Sequence, residues 1–456
     1  MTRLFGTNGV RGVVNETMTI DFATDLSRAI GTFFGGGKVA IGCDTRTSGD
    51  MLKSASVSGL LSVGCCAVDL STVPSPTLQL EVKNGDYSGG IIITASHNPP
   101  EFNGMKCIDS EGMEMDKAGE EAIEAIYFSK RFHEVGWEDY RNHEKKVDAI
   151  DNYISSILKN VDAKSVKRAG LKVVLDCANG AACFSSPRLL ERLGCETVLL
   201  NEVPDGTFPG HNSEPIPENL TELMEVVTGS DAVLGIAHDG DADRSIFVDE
   251  KGNYVPGDKS LALVAKRIVE ERSGGLVVTP VSSSSCVEEA VTGSGGEIRY
   301  TPVGSPIVAR VMKATHAVFG GEENGGLIFP EHQYCRDGGM AAAKVVELLA
   351  LSGEQLSGLL QEVPVYHNVK NKVHCPNEIK SVVLERLSRE LEGKEVDTTD
   401  GLKVLYTDGW VLFRASGTEP LFRVFAESKS QGRAKELADE GVRIIADLIE
   451  SRKKGS

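Results

Sequence analysis

A buried strand is predicted by Ile91-Ile92-Ile93-Thr94-Ala95-Ser96-His97-Asn98-Pro99-Pro100, in which three β-branched apolar residues precede a polar turn. The two prolines stop the strand, so the chain must turn after Asn98. The pattern therefore holds the Ser96 hydroxyl on a stiff turn at the end of a buried strand, where the sites of open α/β sheets lie. Taken alone, the stretch is equally consistent with a plain Asn-Pro turn.

The composition is that of an ordinary globular protein. The chain has 456 residues, of which 41% are hydrophobic and 25% charged, and this length suits about two to four domains. No apolar run approaches the roughly 20 residues of a membrane helix, and the first residues lack a signal-peptide core. We therefore expect a cytoplasmic protein that contacts no membrane. The ten cysteines are scattered without a C-x-x-C pair, so they indicate neither a disulfide framework nor a zinc site.

The net charge of −18 argues against a nucleic acid or an anionic membrane as partner. If the substrate is an anionic small molecule, basic residues must be gathered locally, beside glycine-rich turns. The composition leaves the oligomeric state open between a monomer and a homodimer.

Strands and helices alternate along the chain in a pattern that starts three times. This alternation predicts three α/β units with largely parallel sheets, each of which contributes one polar loop to a shared cleft. The strands that end in polar turns occupy residues 38–46 and 91–98, then 171–180 and 232–244, then 275–280 and 317–326. We predict helices over 22–33, 50–63, 184–193 and 218–228, and a charged helical segment over 116–150.

The character of the chain changes near residue 364. Strands over 403–414 and 421–426 and helices over 377–391 and 431–450 predict a small α+β domain there. The predicted domain boundaries are therefore 1–148, 149–252, 253–364 and 365–456.

Three aspartates alternate in Asp239-Gly240-Asp241-Ala242-Asp243-Arg244. In an extended segment they point to one side, where they repel one another unless a cation lies among them. Ligands that are all oxygen favour Mg²⁺ over Zn²⁺. A calcium loop of the EF-hand type would need glycine in place of Arg244 and flanking helices, whereas the flanks predict strands. A solvated acidic turn is the other alternative. Arg244 beside a metal would suit a phosphate oxygen.

An anion cradle is predicted between the last two strands, in Arg414-Ala415-Ser416-Gly417-Thr418-Glu419-Pro420. Arginine offers a bidentate fork, the two hydroxyls offer hydrogen bonds, and glycine lets backbone N–H groups approach the anion. Arg423 would add a second fork from the next strand. The alternative is a plain hairpin turn, which the flanking arginine and glutamate fit poorly.

Two glycine-rich loops, a lysine and a histidine are further candidates. Carboxylates and an amide lie between glycine pairs in Gly320–Gly326, which suits sugar hydroxyls, although a flexible acidic turn would look the same. The opening loop Phe5–Gly12 is either an anion-facing loop or a plain turn. Lys106 would neutralise a phosphoryl group or move a proton, unless it is a surface residue. His97 follows Ser96 directly and would point the other way in a strand, so it need not be its base.

Together these motifs resemble the α-D-phosphohexomutase family. The family's four signatures are matched in order and spacing, over essentially the whole chain, by Thr94–Pro99, Asp239–Arg244, Gly321–Gly325 and Arg414–Pro420. The opening loop is similar to that of the phosphoglucosamine mutase branch, and residues 321–326 to its archaeal members. The resemblance implies three related α/β domains with mixed sheets and a C-terminal α+β domain, in a heart-shaped arrangement with a central cleft.

The resemblance also implies roles for the candidate residues. Ser96 would be carried as phosphoserine, and one Mg²⁺ per chain would bridge it to the three aspartates. Three basic residues would assist at the reacting phosphoryl group, namely Arg11, Lys106 and Arg244. The sugar would be contacted by Glu322, Asn324, His97 and Gly304. The phosphate that is not reacting would be held by Arg414, Ser416, Gly417, Thr418 and Arg423.

The reaction that the resemblance implies is the interconversion of glucosamine 6-phosphate and glucosamine 1-phosphate through a sugar bisphosphate, which also primes the enzyme. Alternatives are a phosphomannomutase/phosphoglucomutase, a phosphopentomutase, and a non-catalytic sugar-phosphate-binding regulatory protein. Two departures bear on the substrate. Many relatives have Ser-Gly-His where this chain has Asn324-Gly325-Gly326, and a charged residue is usual at Ser305, which follows Gly304 here.

Overall fold

The computed structural model describes residues 4–417 and 419–453, which form four β-sheets with flanking helices. The strands of the first sheet are β1 (Val10–Val13), β2 (Gly37–Cys43), β3 (Cys65–Thr72), β4 (Gly89–Ile93), β5 (Phe102–Asp109) and β6 (His143–Lys145). Its helices are α1 (Ile20–Phe34), α2 (Gly49–Ser62), α3 (Ser75–Asn84) and α4 (Lys117–Ser129). The strand order is β1-β5-β4-β2-β3-β6.

The second sheet contains β7 (Lys172–Asp176), β8 (Glu196–Leu200), β9 (Leu234–His238), β10 (Ser245–Asp249) and β11 (Tyr254–Val255). The helices of this part are α5 (Ala149–Lys159), α6 (Ala163–Ala169), α7 (Ser186–Leu193) and α8 (Thr221–Thr228), with 3-10 turns at Ala181–Phe184 and Pro217–Asn219. The strand order is β11-β10-β9-β7-β8. The helices predicted at 184–193 and 218–228 therefore each begin with a 3-10 turn.

The third sheet contains β12 (Leu276–Pro280), β13 (Glu297–Thr301), β14 (Phe319–Glu322) and β15 (Gly326–Ile328), in the order β13-β12-β14-β15. Its helices are α9 (Gly257–Arg272), α10 (Ser285–Gly293), α11 (Ser305–Thr315), α12 (Gly338–Ser352) and α13 (Leu356–Leu359). All three sheets are mixed, not largely parallel. A strand that follows a short turn, such as β5 after β4, can only pair antiparallel, because a parallel pair needs a long crossover.

The fourth sheet is antiparallel, with β16 (His367–His374), β17 (Val396–Asp397), β18 (Leu402–Tyr406), β19 (Gly409–Ala415) and β20 (Leu421–Ser428) in the order β16-β20-β19-β18-β17. One face is covered by α14 (Lys380–Glu390) and α15 (Gln431–Lys453). The fold class is thus three α/β units and one α+β unit, as the resemblance implied. Among the described residues, no helix combines the length and apolar character needed to cross a membrane.

The opening stretch lies at the centre of the first sheet. Ile91, Ile92 and Ile93 form β4, have no exposed surface, and pair with β2 on one side and β5 on the other. The predicted buried strand is therefore confirmed, and its end delivers Ser96 to the edge of the sheet where β2 also ends.

The prediction of a helical segment over 116–150 was wrong beyond the first half of that range. The helix α4 ends at Ser129, because Lys130 adopts a left-handed backbone conformation with φ 54°. The charges that follow pair with other elements and not along a helix, since Glu134 binds Arg28 and Glu144 binds Lys38. Residues 143–145 add to β3 as an edge strand instead.

The second and third units share one hydrophobic core. Tyr153 of α5, Leu189 of α7, Leu261 of α9 and Val345 of α12 belong to a single buried cluster. The first and fourth units have clusters of their own. The domain boundaries stay predictions, but this shared core indicates that the middle of the chain is the most tightly joined part.

The turn that carries Ser96 is held by Arg46, which follows β2. The guanidinium donates to four backbone carbonyls, those of Ser96 (2.9 Å), Asn98 (2.5 Å), Pro99 (2.6 Å) and Phe102 (2.8 Å). Asp44 pairs with the Nε of Arg46 at 3.2 Å, and neither side chain of the pair is exposed. Because each end of the turn is bonded to the same planar group, the shape of the turn is fixed before any ligand binds.

Replacing Arg46 by methionine is expected to lower the free energy of unfolding by about 3–5 kcal/mol, because it leaves Asp44 buried without its counter-charge and four carbonyls without a donor. Differential scanning calorimetry should show a transition at lower temperature, and limited proteolysis should cleave within 94–102. The matched control is Arg389→Met, since Arg389 pairs with Glu385 on the exposed side of α14. A transition at the wild-type temperature in Arg46→Met would contradict this account of the turn.

Candidate active site

Ser96 has a strained backbone and a fully buried side chain. Its φ is 53°, in the left-handed region that residues other than glycine seldom adopt. The hydroxyl donates to Asp239 Oδ2 at 2.8 Å. His97 Nδ1 lies 3.5 Å from Ser96 Oγ, but burial and three nearby arginines lower the pKa of His97 to about 2. A group with such a low pKa is a poor base, so the serine is not arranged like a hydrolase nucleophile.

The three aspartates lie together beneath this hydroxyl, on the loop between β9 and β10. Each aspartate has one carboxylate oxygen that lies within 4.8 Å of such an oxygen of the other two. All three side chains are buried. Asp241 Oδ1 and Asp243 Oδ1 are buried without any hydrogen-bond partner. Unpaired buried carboxylate oxygens are costly, so this set of oxygen donors fits a hard divalent cation such as Mg²⁺.

The pKa values of the aspartates diverge because their partners differ. Burial and the two neighbouring carboxylates raise the pKa of Asp239 to about 8. Burial would also raise the pKa of Asp241, but the Lys106 ammonium at 2.7 Å holds it below its usual range. Lys106 in turn keeps a pKa above its ordinary value despite burial, because Asp241 and Asp243 stabilise its charge. Lys106 is therefore held as a buried charged group between Asp241 and Asp243.

Two arginines complete the basic side of this group. Arg11 of β1 donates to Asn98 Oδ1 at 2.8 Å, next to the serine turn. Arg244 Nε lies 3.7 Å from both Asp239 and Asp243 and is buried without a hydrogen-bond partner. The structure thus brings together the three basic residues that the sequence associated with Ser96, and Arg244 keeps a free donor.

The loop at 320–326 is joined to the aspartates by Arg336, which the sequence analysis missed. Arg336 donates from Nη1 to Glu322 Oε2 (2.9 Å) and from Nη2 to Asp243 Oδ2 (2.6 Å). Burial raises the pKa of Glu322, although Arg336 opposes that shift. Asn324 accepts from the backbone N–H of Gly326 at 3.2 Å and so shapes its own loop. The signal that could have revealed Arg336 is its place in Arg-Asp-Gly-Gly, a charged turn directly before a helix.

Gly304 lies at the start of α11, against the opening loop. Its φ is 142°, and a Cβ there would lie 3.0 Å from the Thr7 methyl group. Asn8 contacts Ser305 Oγ at 2.9 Å, and the same hydroxyl donates to Glu114 Oε2, also at 2.9 Å. The opening loop is therefore a packed link between the first and third units and not a plain terminal turn.

The predicted anion cradle is a row of like charges on three neighbouring strands. Arg414 of β19 lies directly opposite Arg423 of β20, which lies opposite Lys372 of β16. Each arginine also has a carboxylate partner, since Arg414 pairs with Asp400 at 2.6 Å and Arg423 with Glu419 at 3.0 Å. Gly417 is exposed, with open space where a Cβ would be. Thr418, the other predicted hydroxyl, lies outside the described residues.

The cradle is tied to the third unit and not to the serine. Asp400 accepts from Arg414 Nε at 2.6 Å and from the backbone N–H of Val303 at 2.9 Å. Ser416 accepts from the N–H of Glu419, and Lys380 donates to the carbonyls of both residues. Within residues 4–417 and 419–453, the cradle makes no hydrogen bond to Ser96 or to the aspartates.

Known proteins resemble this chain over its whole length. Family models of phosphoglucomutase/phosphomannomutase match residues 2–134 (alpha/beta/alpha domain I), 151–252 (domain II), 256–366 (domain III) and 372–444 (C-terminal domain). A phosphoglucomutase/phosphomannomutase of Thermococcus kodakarensis is 43% identical, over 98% of this chain and 100% of that one. A probable phosphoglucosamine mutase of Methanopyrus kandleri is 44% identical, over 99% of both chains.

A solved structure resembles the whole chain as well. The phosphoglucomutase/phosphomannomutase family protein of Burkholderia thailandensis is 28% identical, with a TM-score of 0.88, over 98% of this chain and 97% of that one. Further relatives at 37–41% identity share the description of the Methanopyrus protein. The chain belongs to the phosphoglucomutase/phosphomannomutase family, and it is a phosphosugar mutase, an isomerase.

Proposed function

We propose that the chain interconverts glucosamine 6-phosphate and glucosamine 1-phosphate, with Ser96 carried as phosphoserine. The observation that carries this proposal is the Ser96 hydroxyl, which lies 2.8 Å from Asp239, an aspartate grouped with two others that each have a buried oxygen without a hydrogen bond. A hydroxyl in that position can carry a phosphoryl group without a general base. Phosphoryl transfer depends on positioning and charge neutralisation more than on a strong base.

A Mg²⁺ ion would be held by Asp239, Asp241, Asp243 and an oxygen at Ser96. When bound there, it would neutralise the charge that develops on the serine oxygen during transfer. Lys106, Arg11 and Arg244 supply the remaining positive charge. In the transfer itself, a sugar hydroxyl attacks phosphorus, the bond to Ser96 Oγ breaks, and the proton of the attacking hydroxyl passes to that oxygen. The bisphosphate formed returns its other phosphate to Ser96.

The choice of glucosamine rests on the opening loop and on the description of the Methanopyrus relative. The Thermococcus relative supports the second candidate, a phosphomannomutase/phosphoglucomutase. A non-catalytic binding protein would have no need for a buried serine at the aspartates. The predictions on oligomeric state and on the absence of nucleic-acid and membrane partners stay predictions.

Ser96→Ala should lower kcat/KM by at least about a thousandfold, because the phosphoryl carrier is removed. Intact-protein mass spectrometry should show a phosphoryl adduct on the wild type after exposure to a sugar bisphosphate, and none on the variant. Ser27→Ala is the matched control, since Ser27 is also fully buried, in α1, and lies outside the site. Wild-type turnover in Ser96→Ala would overturn the phosphoserine mechanism.

A panel of phosphosugars tests the substrate. With a catalytic amount of sugar bisphosphate present, kcat/KM for glucosamine 6-phosphate is expected to exceed that for glucose, mannose and pentose phosphates. The comparison must use one enzyme preparation, with its phosphorylation level checked by mass. Equal or greater efficiency on glucose or mannose phosphates would replace the glucosamine assignment by the second candidate.

The cradle is expected to bind the distal phosphate of the substrate. Inorganic phosphate should raise the melting temperature of the wild type, because an anion that binds the folded cradle stabilises the folded state. In Arg414→Met that rise should disappear, and KM for the phosphosugar should increase by about tenfold or more, as loss of a charged hydrogen bond predicts. Arg433→Met, which removes an exposed pair with Asp408, is the control. An undiminished response to phosphate in Arg414→Met would contradict the cradle.

A further inference from the structure

We propose that Arg336 ties the sugar loop to the metal-binding aspartates and orients the Glu322 carboxylate toward the sugar, and that Gly326 is required to admit it. The inference rests on the proposed function, since it assigns a positioning residue to the same site. It also accounts for the glycine at residue 326, where many relatives have histidine.

The Arg336 guanidinium donates one hydrogen bond to each of two carboxylates. Its contacts are Glu322 Oε2 at 2.9 Å and Asp243 Oδ2 at 2.6 Å, and the arginine side chain is only 3% exposed. The other oxygen of Asp243 is buried and has no hydrogen-bond partner. Glu322 Oε1 likewise receives no hydrogen bond from the described residues. One rigid, planar group therefore bonds a single oxygen of each carboxylate and holds the two carboxylates at a fixed separation.

The stem of Arg336 lies across Gly326. A Cβ at 326 would overlap the Arg336 Cδ and lie 2.9 Å from its Cγ. Gly326 itself pairs with Glu322 in the hairpin of β14 and β15, so it cannot move aside without moving that carboxylate. A side chain at 326 and this placement of Arg336 are thus mutually exclusive.

The backbone of Arg336 is anchored independently of its side chain. Arg336 forms a β-bridge with Ile328, Asp337 N–H donates to the Leu327 carbonyl at 3.0 Å, and Gly338 N–H donates to the Ala242 carbonyl at 3.2 Å. The turn therefore touches both loops that the guanidinium joins. A substitution that shortens or discharges the side chain leaves these backbone bonds in place.

The two carboxylates should respond differently when the guanidinium is removed. Asp243 Oδ2 also accepts from Lys106 Nζ at 3.1 Å, so Asp243 keeps a partner and its orientation. Glu322 has Arg336 as its only side-chain partner among the described residues. Metal binding should therefore depend on the positive charge at 336, which competes with the ion, whereas sugar binding should depend on the shape of the fork.

Three variants separate charge from shape: Arg336→Lys keeps the charge, Arg336→Met removes it, and Gly326→Ala displaces the arginine without altering it. Two controls match them. Arg267 also bridges two carboxylates, Glu270 and Glu362, so Arg267→Met tests the loss of such a bridge elsewhere. Gly293→Ala places a Cβ in open space. Each protein is titrated with Mn²⁺ alone by calorimetry, and KM and kcat are measured with the phosphosugar that the wild type prefers.

KM is expected to rise about tenfold or more in all three variants, and to change less than about twofold in the controls. The Mn²⁺ affinity is expected to stay within about twofold of wild type in Arg336→Lys and to become at least about threefold tighter in Arg336→Met, because a repelling charge is lost. A purely structural role would instead weaken both kinds of binding together.

The proposal is overturned if KM stays within about twofold of wild type in Arg336→Met and Gly326→Ala, or if Mn²⁺ binding weakens in Arg336→Met. If Arg336→Met does not fold, Arg336→Lys and Gly326→Ala decide through KM. If the wild type converts no phosphosugar, the proposed function fails, and the Mn²⁺ affinities of the lysine and methionine variants still decide the role of Arg336.

Discussion

The structure depends on one electrostatic constraint: carboxylates that repel one another are buried together beside Ser96. The three aspartates and Glu322 are faced by four cationic side chains, Arg11, Lys106, Arg244 and Arg336. These cations come from β1, from β5, from the aspartate loop and from the turn before α12. The charged side chains of this cluster therefore come from all three of the first units, and the carboxylates find their counter-charges only where these units meet. A phosphoserine of charge about −2 and one divalent cation would add equal and opposite charges, so the balance survives loading of the site.

The approach of the loops is set by backbone as much as by charge. A Cβ at Gly240 would lie 2.5 Å from the Ser96 carbonyl. The aspartate loop can therefore approach the serine turn this closely only because residue 240 is glycine. Arg46 also fixes the serine turn, by its bonds to four carbonyls. The left-handed φ of Ser96 is thus imposed by its surroundings, as expected for strain at a functional position. The hydroxyl has a defined place before a substrate arrives.

Much of this arrangement was predictable from the sequence, because local patterns carried it. The run of isoleucines indicated a strand buried on both faces, and the alternating aspartates indicated a cation site by their spacing alone. Arg336 and Arg46 were not predicted, since a single arginine in a loop has no periodicity, and its importance comes from residues distant in the sequence, such as Asp243 and Phe102. The segment after Ser129 was predicted wrongly as helical for the opposite reason. Its charges looked helical, but their partners lie on α1 and β2, and tertiary pairing decided its conformation.

The fourth unit is joined to the rest in a different way from the others. The second and third units share one apolar core, whereas the fourth has its own core and meets the third through a small cluster around Trp410 and Val281 and through polar contacts. Among these contacts are Lys403 to the Val281 carbonyl, Trp410 to the Ser285 hydroxyl, and Lys370 to Glu323. Polar interfaces with little shared core permit rigid-body motion more readily than a continuous core does. The interface of the fourth unit is thus the one that most readily permits the cradle to shift relative to Ser96 and the three aspartates. In the proposed mechanism a bisphosphate presents each of its ends to Ser96 in turn, and a cradle on a separate core can follow either end.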